Sequence, residues 1–387
     1  MHESSSSLPA PLNKCSEVYS CHTSLHVCSV EVFAGRSDVF ACGLYELQEG
    51  EGVQEEGRAQ ERQGGVVICN AANGEALAKA SRPGGVLDMK PRPVGRHAQQ
   101  QQLAAAYSTS RVELLEFTEE RGTQPMLESV AVSAVCHEEG LLLSVSWCGE
   151  TQLAVSTQQG NVVLYVADAG SSELRPSARI DGAHSLFGAP IPAWIVASDP
   201  HCRHRLLTGG DDCALRLWDT RQSPTLATDA VTKCYTAGVT SGEWHPTAEH
   251  VFAAGSYDET CRVWDCRTMR APLCSLHTGG GVWRTKWVCP APLDPPASPA
   301  SPTVSHLALA CMQAGSAVFR VALCPEASAW TAQGHKECHH SDLAADSNHL
   351  AYGIAVLGSR QSPPELDVVS CSFYDNKVSR WIAPLHR

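Results

Sequence analysis

The chain carries 18 cysteines yet not one C-x-x-C pair. The thiols are spread over its whole length, and Cys42, Cys311 and Cys371 fall inside apolar strand patterns. They read as buried thiols of a reducing cytosol rather than as a disulfide framework. A run of Lys or Arg is missing too. The formal net charge is −12 with scattered basic residues, which excludes the footprint of a nucleic-acid-binding surface. Such an acidic surface serves solubility and hints at a basic partner. The Ser-rich beginning has neither the basic n-region nor the apolar core of a signal peptide, and no apolar run is long enough for a bilayer. A soluble, cytoplasmic protein without a membrane partner is expected. Helix signals are few, whereas Gly, Pro, Ser and Asp punctuate the chain often, which favours short strands. A hydrophobic content of 43% is enough for a packed fold.

What is present is clearest between Leu206 and Arg267. LLTGGDDCALRLWDTR and VFAAGSYDETCRVWDCR are two copies of one unit. Trp218 and Trp264 take equivalent places, each followed by Asp and then x-Arg, and Asp212 and Asp258 each stand six residues earlier. Apolar residues alternate on both sides of a Gly-rich turn, the pattern of two antiparallel strands joined tightly. A period of about 45 residues with this hairpin and a terminal Trp-Asp is the WD40 signature, one four-stranded propeller blade per repeat.

Seven such units, at roughly 40–50 residues each, would use nearly the whole chain. An all-β, seven-bladed WD40 propeller over residues 13–387 is therefore expected, after a disordered tail at 1–12. The two clear repeats cover about 184–221 and 235–267, and low-complexity insertions fall at 46–63 and 290–302. Cys15–Tyr19 reads as a strand that closes the ring onto the last blade. Val39–Tyr45 reads as the inner strand of the first blade. In a degenerate third copy Gln159 stands in the turn-acid place and Tyr165 in the Trp place.

Several constellations could carry chemistry. Asp212, Asp258 and Asp375 recur at one repeat position, where a carboxylate can accept backbone N–H bonds and hold a turn, or face a ligand. His184 lies where such repeats place a structural His, beside a catalytic reading. No G-x-S-x-G elbow is present, so an α/β-hydrolase mechanism has no support. His335, Cys338, His339 and His340 are crowded into what reads as a loop and lack a second ligand pair, so no metal site is assigned. Trp194 and Trp283 stand at blade entries and Tyr257 and Tyr374 in hairpin turns. They either pack between blades or line the mouth of the central channel, where aromatics beside carboxylates suit a quaternary ammonium. Arg284 is a candidate partner for a carboxylate or an oxyanion. The tandem W-D-x-R motifs, Trp218–Arg221 and Trp264–Arg267, resemble those of propellers that serve as substrate receptors on cullin ubiquitin ligases.

GGDD at 209–212, GSYDE at 255–259, GGGVWRTKW at 279–287, LACM at 309–312 and SCSFYD at 370–375, with LDMK at 87–90 and AYG at 351–353, together resemble one family. It is the WD-repeat family of diphthamide biosynthesis, the diphthine methyl ester hydrolases, also catalogued as diphthine methyltransferases. The resemblance covers about residues 38–381 and is tightest in the second half. Tyr235 departs from it, standing where a His would be expected. The resemblance implies that the chain hydrolyses a methyl ester beside a trimethylammonium on the modified histidine of elongation factor 2, without a cofactor. On that reading Asp258 or His184 would be the general base and Arg284 or backbone N–H groups would hold the oxyanion. Trp194, Trp283, Tyr257 and Tyr374, with Asp212 and Asp375, would bind the substrate. The competing expectation is a non-enzymatic scaffold or cullin-adaptor receptor.

Overall fold

The computed structural model describes residues 13–47, 62–93, 101–168, 170–222, 227–289, 302–326, 330–340 and 348–386. The expected tail at 1–12, most of the first insertion and all but the last residue of the second lie outside the described residues. What is described of the first insertion is paired strand, with Glu46 opposite Gln63 and Leu47 opposite Arg62.

Among the described residues, strand pairing gives seven successive four-stranded antiparallel units, called blades 1 to 7 here, with Asn13–Lys14 added in parallel to the outer strand of blade 6. Their innermost strands are His26–Glu31, Val86–Pro91, Leu142–Trp147, Ile195–Asp199, Val239–Trp244, Arg284–Val288 and Ala351–Gln361. Each inner strand packs on the next, and the seventh packs back on the first, so the ring is closed. Blade 7 takes its outer strand from the other end of the chain. Ser16–His22 pairs antiparallel with Lys377–Pro384, Ser16 opposite Ile382 and His22 opposite Lys377. The ring-closing strand expected at Cys15–Tyr19 is thus present, displaced by a few residues. Blades 2 and 3 also touch through a short parallel bridge, Val132 to Glu173 and Ser133 to Leu174.

The blades cohere because strand alternation gives each sheet two apolar faces, and each face meets its neighbour. Between blades 5 and 6, Val251, Ala253 and Val263 pack on Leu307, Leu309 and Phe319. Between blades 7 and 1, Ala355, Val369 and Cys371 pack on Val27, Val30, Phe40 and Val67. Each such large side chain contributes roughly 1.5–3 kcal/mol on burial. All 18 cysteines are free thiols, and eight of them are buried.

Two expectations are corrected. Val39–Leu47 is the second strand of blade 1, and the inner strand is His26–Glu31. The HVCSVE run ends in no Gly-rich turn and no Trp, so the repeat pattern does not register it. The crowded His335–His340 stretch is no loop. It belongs to the outer strand Trp330–His340 of blade 6, paired along its length with Ser316–Pro325. Alternation sends its polar side chains to opposite faces, and among the described residues no three His, Cys, Asp or Glu groups converge as metal ligands.

Candidate functional site

The inner strands all begin at one end of the channel, so residues at those beginnings face one another. Trp194 precedes the blade 4 inner strand, Trp283 precedes that of blade 6, Tyr352 opens that of blade 7, and His26 opens that of blade 1. The turn Phe373–Tyr374 between the middle strands of blade 7 closes in from above. These side chains line a cavity of about 850 Å³, joined by Tyr45, Glu46, Leu47 and Gln63 of blade 1, with Cys28, Leu87, Leu141 and Leu143 completing the lining.

The aromatic rings form a continuous arc. Trp194 and Trp283 meet edge to face at 5.5 Å between centroids. Trp283 stacks on Tyr352 at 4.8 Å, Tyr352 meets Phe373 at 4.9 Å, and Phe373 meets Tyr374 at 5.1 Å. Tyr257 adds its edge to Trp194 and Trp283, at 6.4 and 6.0 Å, but does not itself line the cavity. Of the residues expected to bind substrate, Trp194, Trp283 and Tyr374 are brought together here, and Tyr257, itself partly exposed, packs against the two tryptophans outside the lining. Tyr374 is 57% exposed, so its ring is open to a ligand without unpacking the core.

One carboxylate at this rim escaped the repeat reading. Asp211, the residue before the turn acid, accepts the indole N–H of Trp194 at 2.6 Å and lies exposed at the mouth. Burial, and then the charge of Asp211, push the Tyr257 hydroxyl up to about 12. Glu46 is a second carboxylate on the lining. The signal for Asp211 was present in GGDD, because adjacent strand-end residues point to opposite sides.

The expected acids and bases sit elsewhere. His184 is wholly buried: Nδ1 lies 2.7 Å from Asp212, Nε2 lies 2.8 Å from the Thr208 hydroxyl, and Trp218 donates its indole N–H to the same hydroxyl at 2.9 Å. Burial depresses its basicity more than Asp212 restores it. Arg216 completes the relay with a 2.6 Å bond to Asp212. Asp258 is engaged by Arg262 at 2.9 Å and by the backbone N–H groups of Thr236 and Thr260. In that blade Tyr235 takes the place of the His, accepting the indole N–H of Trp264 at 2.9 Å. Asp375 lies 3.7 Å from His349. His184, Asp212, Asp258 and Asp375 therefore fasten hairpins within their blades, and none lines the cavity. The two W-D-x-R arginines are drawn onto their own motifs, Arg221 to Asp219 at 2.7 Å and Arg267 to Asp265 at 2.6 Å. They lie at the strand ends away from the mouth.

Arg284 lies under the cavity rather than in its lining. It donates to the carbonyls of Trp283 and Leu87 at 3.0 and 2.8 Å, tying blade 6 to blade 2, and its guanidinium carbon lies 5.5 Å from the Trp283 ring centroid. It tops a network of charges within the channel. Lys90 and Lys286 each reach Glu31 at 2.7 Å, and Asp88 lies 3.2 Å from Lys90 and 3.4 Å from Arg284. Burial alone would raise the Asp88 carboxyl, but Lys90, Arg284 and the bonds from Val145 and Ser144 outweigh it and hold it below its usual range. Glu243 is pushed up by burial, despite Lys286 and the Trp287 N–H. The sequence signal was charge at alternating positions, 88 and 90, 284 and 286, on strands otherwise apolar, since alternate residues share one face.

His26 is one of the cavity residues the motif search missed. Its Nδ1 lies 2.9 Å from the Phe373 carbonyl oxygen and within hydrogen-bond reach of Asn376 Oδ1. The ring also packs on Phe373 at 4.7 Å and meets Tyr374 edge-on at 6.1 Å. Cys28, two residues on, is a buried thiol pushed up to about 12 by burial. It stays protonated and is a poor nucleophile.

Comparison with known proteins agrees with this architecture. Residues 188–219 and 229–265 match the family described as WD domain, G-beta repeat. A diphthine methyltransferase homolog of Dictyostelium discoideum is 26% identical, covering 92% of this chain and 95% of its own length. The diphthine methyltransferase of Mus musculus is 31% identical over 79% of this chain, which spans only 61% of the mouse protein. That of Homo sapiens is 30% identical over 81% of this chain and 69% of its own length. Among solved structures, a chain of a mitotic checkpoint complex superimposes with a TM-score of 0.61 at 14% identity, over all of this chain and 97% of the other. That likeness is one of fold alone.

Proposed function

The chain belongs to the diphthine methyltransferase family, and from that premise we propose that it acts in diphthamide biosynthesis by hydrolysing the methyl ester of methylated diphthine on elongation factor 2. The observation that carries this reading is the aromatic arc over a cavity of about 850 Å³ with carboxylates at its edge. The substrate presents a fixed trimethylammonium beside the ester. A quaternary ammonium cannot donate hydrogen bonds, so its recognition rests on ring faces and diffuse negative charge, each good ring face contributing about 0.5–2 kcal/mol. Trp194, Trp283, Tyr352 and Tyr374 supply the faces, and Asp211 and Glu46 the charge.

Hydrolysis fits the same arrangement. A water oxygen adds to the ester carbonyl, the tetrahedral oxyanion collapses, and methanol leaves with the free carboxylate behind. The trimethylammonium attached next to the ester stabilises that oxyanion by direct Coulomb attraction, strengthened where water is excluded. The cavity then has to supply position and a proton acceptor rather than a strong anion hole. We place this activity in the cytoplasm, where free thiols such as the 18 here stay reduced.

Mass spectrometry of methyl-esterified elongation factor 2 incubated with the protein in H218O tests the reading. Loss of one CH2 unit, release of unlabelled methanol and 18O in the new carboxylate are expected. Gain of a methyl group, or no change with folded protein, overturns it.

A further inference from the structure

We infer that His26 is the general base of the cavity, held in its working tautomer by Asn376. The inference rests on the hydrolase reading and goes beyond it in naming the atom that moves the proton.

The tautomer follows from the partners. Nδ1 of His26 faces the main-chain carbonyl oxygen of Phe373 at 2.9 Å and the side-chain oxygen of Asn376. A carbonyl oxygen can only accept, so Nδ1 must carry the hydrogen of the neutral ring. The lone pair is therefore on Nε2, which meets no hydrogen-bond partner among the described residues, on a ring that lines the cavity. An imidazole fixed on one side by an oxygen acceptor and open on the other to a substrate pocket is the arrangement a base needs. His184 and His245, by contrast, have both ring nitrogens bonded inside the blades.

The acceptor is itself fixed. Asn376 sits in the left-handed region at φ 56, in the turn after Tyr374, and its carbonyl accepts from the Thr23 backbone N–H at 2.9 Å and the Thr23 hydroxyl at 3.2 Å. Asn is among the few residues that adopt this backbone readily. The Phe373 ring against His26 further limits imidazole rotation.

In the step, Nε2 takes a proton from water as the water oxygen bonds to the ester carbon and the carbonyl π pair moves to its oxygen. The C=O bond re-forms, the bond to methoxide breaks, and Nε2 returns the proton to methoxide to give methanol. The new carboxylic acid then loses its proton to solvent. Atoms and charge balance with water as the only co-reactant.

The test compares wild type, His26→Ala, Asn376→Asp and Asn376→Gly on methyl-esterified elongation factor 2, with thermal unfolding as the folding control. For His26→Ala the expected result is a fall in kcat of roughly 100-fold or more with KM little changed, and partial recovery with added imidazole. Asn376→Asp keeps both an oxygen acceptor and tolerance of the left-handed backbone, so it should retain most activity. Asn376→Gly keeps the turn but leaves Nδ1 the Phe373 carbonyl as its one acceptor, and kcat should fall by roughly 10-fold. Wild-type turnover with His26→Ala within about threefold of it overturns the base assignment and leaves the hydrolase reading standing. Loss of activity through KM and stability alone, with no imidazole effect, assigns His26 a structural role and overturns it equally. Absence of methanol release from folded wild type removes the hydrolase reading itself, and the base with it.

Discussion

Replacing Trp194 by Leu separates the attraction of the aromatic arc for charge from its attraction for apolar bulk. Trp194 is half-buried, on the segment entering blade 4, its indole N–H bonded to Asp211 at 2.6 Å. Trp283 is the more buried partner, stacked on Tyr352, and its truncation to Ala would cost about 3–5 kcal/mol of fold stability. Trp194→Leu avoids that confusion. It removes one ring face and frees Asp211 to hydrate, for an expected loss of about 1–2 kcal/mol in binding a quaternary ammonium, or roughly 5–30-fold in Kd. The assay is calorimetric titration with choline and with its neutral isostere 3,3-dimethylbutan-1-ol. Wild type should prefer choline, and Trp194→Leu should lower that preference while binding the alcohol nearly as before. Trp283→Phe, which keeps the packing but weakens the ring quadrupole, should cost about 0.5–1 kcal/mol for choline alone. Equal binding of the two ligands by wild type would refute the cation argument, and so would an equal loss for both in the variant.

Other expectations follow from the buried relays. His184→Leu leaves Asp212 and the Thr208 hydroxyl short of a partner, so stability should drop by about 2–4 kcal/mol in urea titration. Turnover per folded molecule should not change, and a selective loss of kcat would return His184 to the chemistry. His245 is buried with Nδ1 accepting the Ala248 N–H at 2.8 Å, and burial lowers its pKa to about 4. The folded value lies below the unfolded one near 6.5, so the contribution to stability is full above pH 6.5. It is lost as pH falls, roughly 2 kcal/mol by pH 5 and about 3 kcal/mol by pH 4. Urea midpoints at pH 7.5 and 5 should differ less in His245→Asn than in wild type. Deleting the segment through His22 removes the outer strand of blade 7 and exposes Lys377–Pro384 as an edge. Faster exchange of blade 7 amides and concentration-dependent association should result, detectable by hydrogen exchange and light scattering.

The architecture was legible because its signal is local and repeated: Trp218 and Trp264 with their turn acids, and the apolar alternation around them. The aromatic rim was legible for the same reason, as Trp194, Trp283 and Tyr374 sit at definable places in a blade. The base was not. His26 lies on a strand without turn or Trp, and its significance depends on Asn376 at a separation of 350 residues. The repeat pattern also pointed to acids that do not line the cavity. Asp212 and Asp258 recur because they hold turns, whereas Asp211, which does not recur, faces the mouth. A repeat reports what every blade needs, and a site formed once in the ring is written in the positions that depart from it.

The ring has a consequence in time. His26 leaves the ribosome long before Asn376, about 20–70 s earlier at ordinary elongation rates across 350 residues. Throughout that interval the flank of blade 1, with Val27, Val30, Phe40 and Val67, waits for Ala355, Val369 and Cys371. The growing chain thus carries an apolar face whose native cover is its own last blade. The cavity itself is complete only when the two ends meet, since blades 1 and 7 both line it. A chain cut short after blade 6 keeps Trp194 and Trp283 but lacks Tyr352, Phe373 and Tyr374 of the aromatic arc, and with them Asn376.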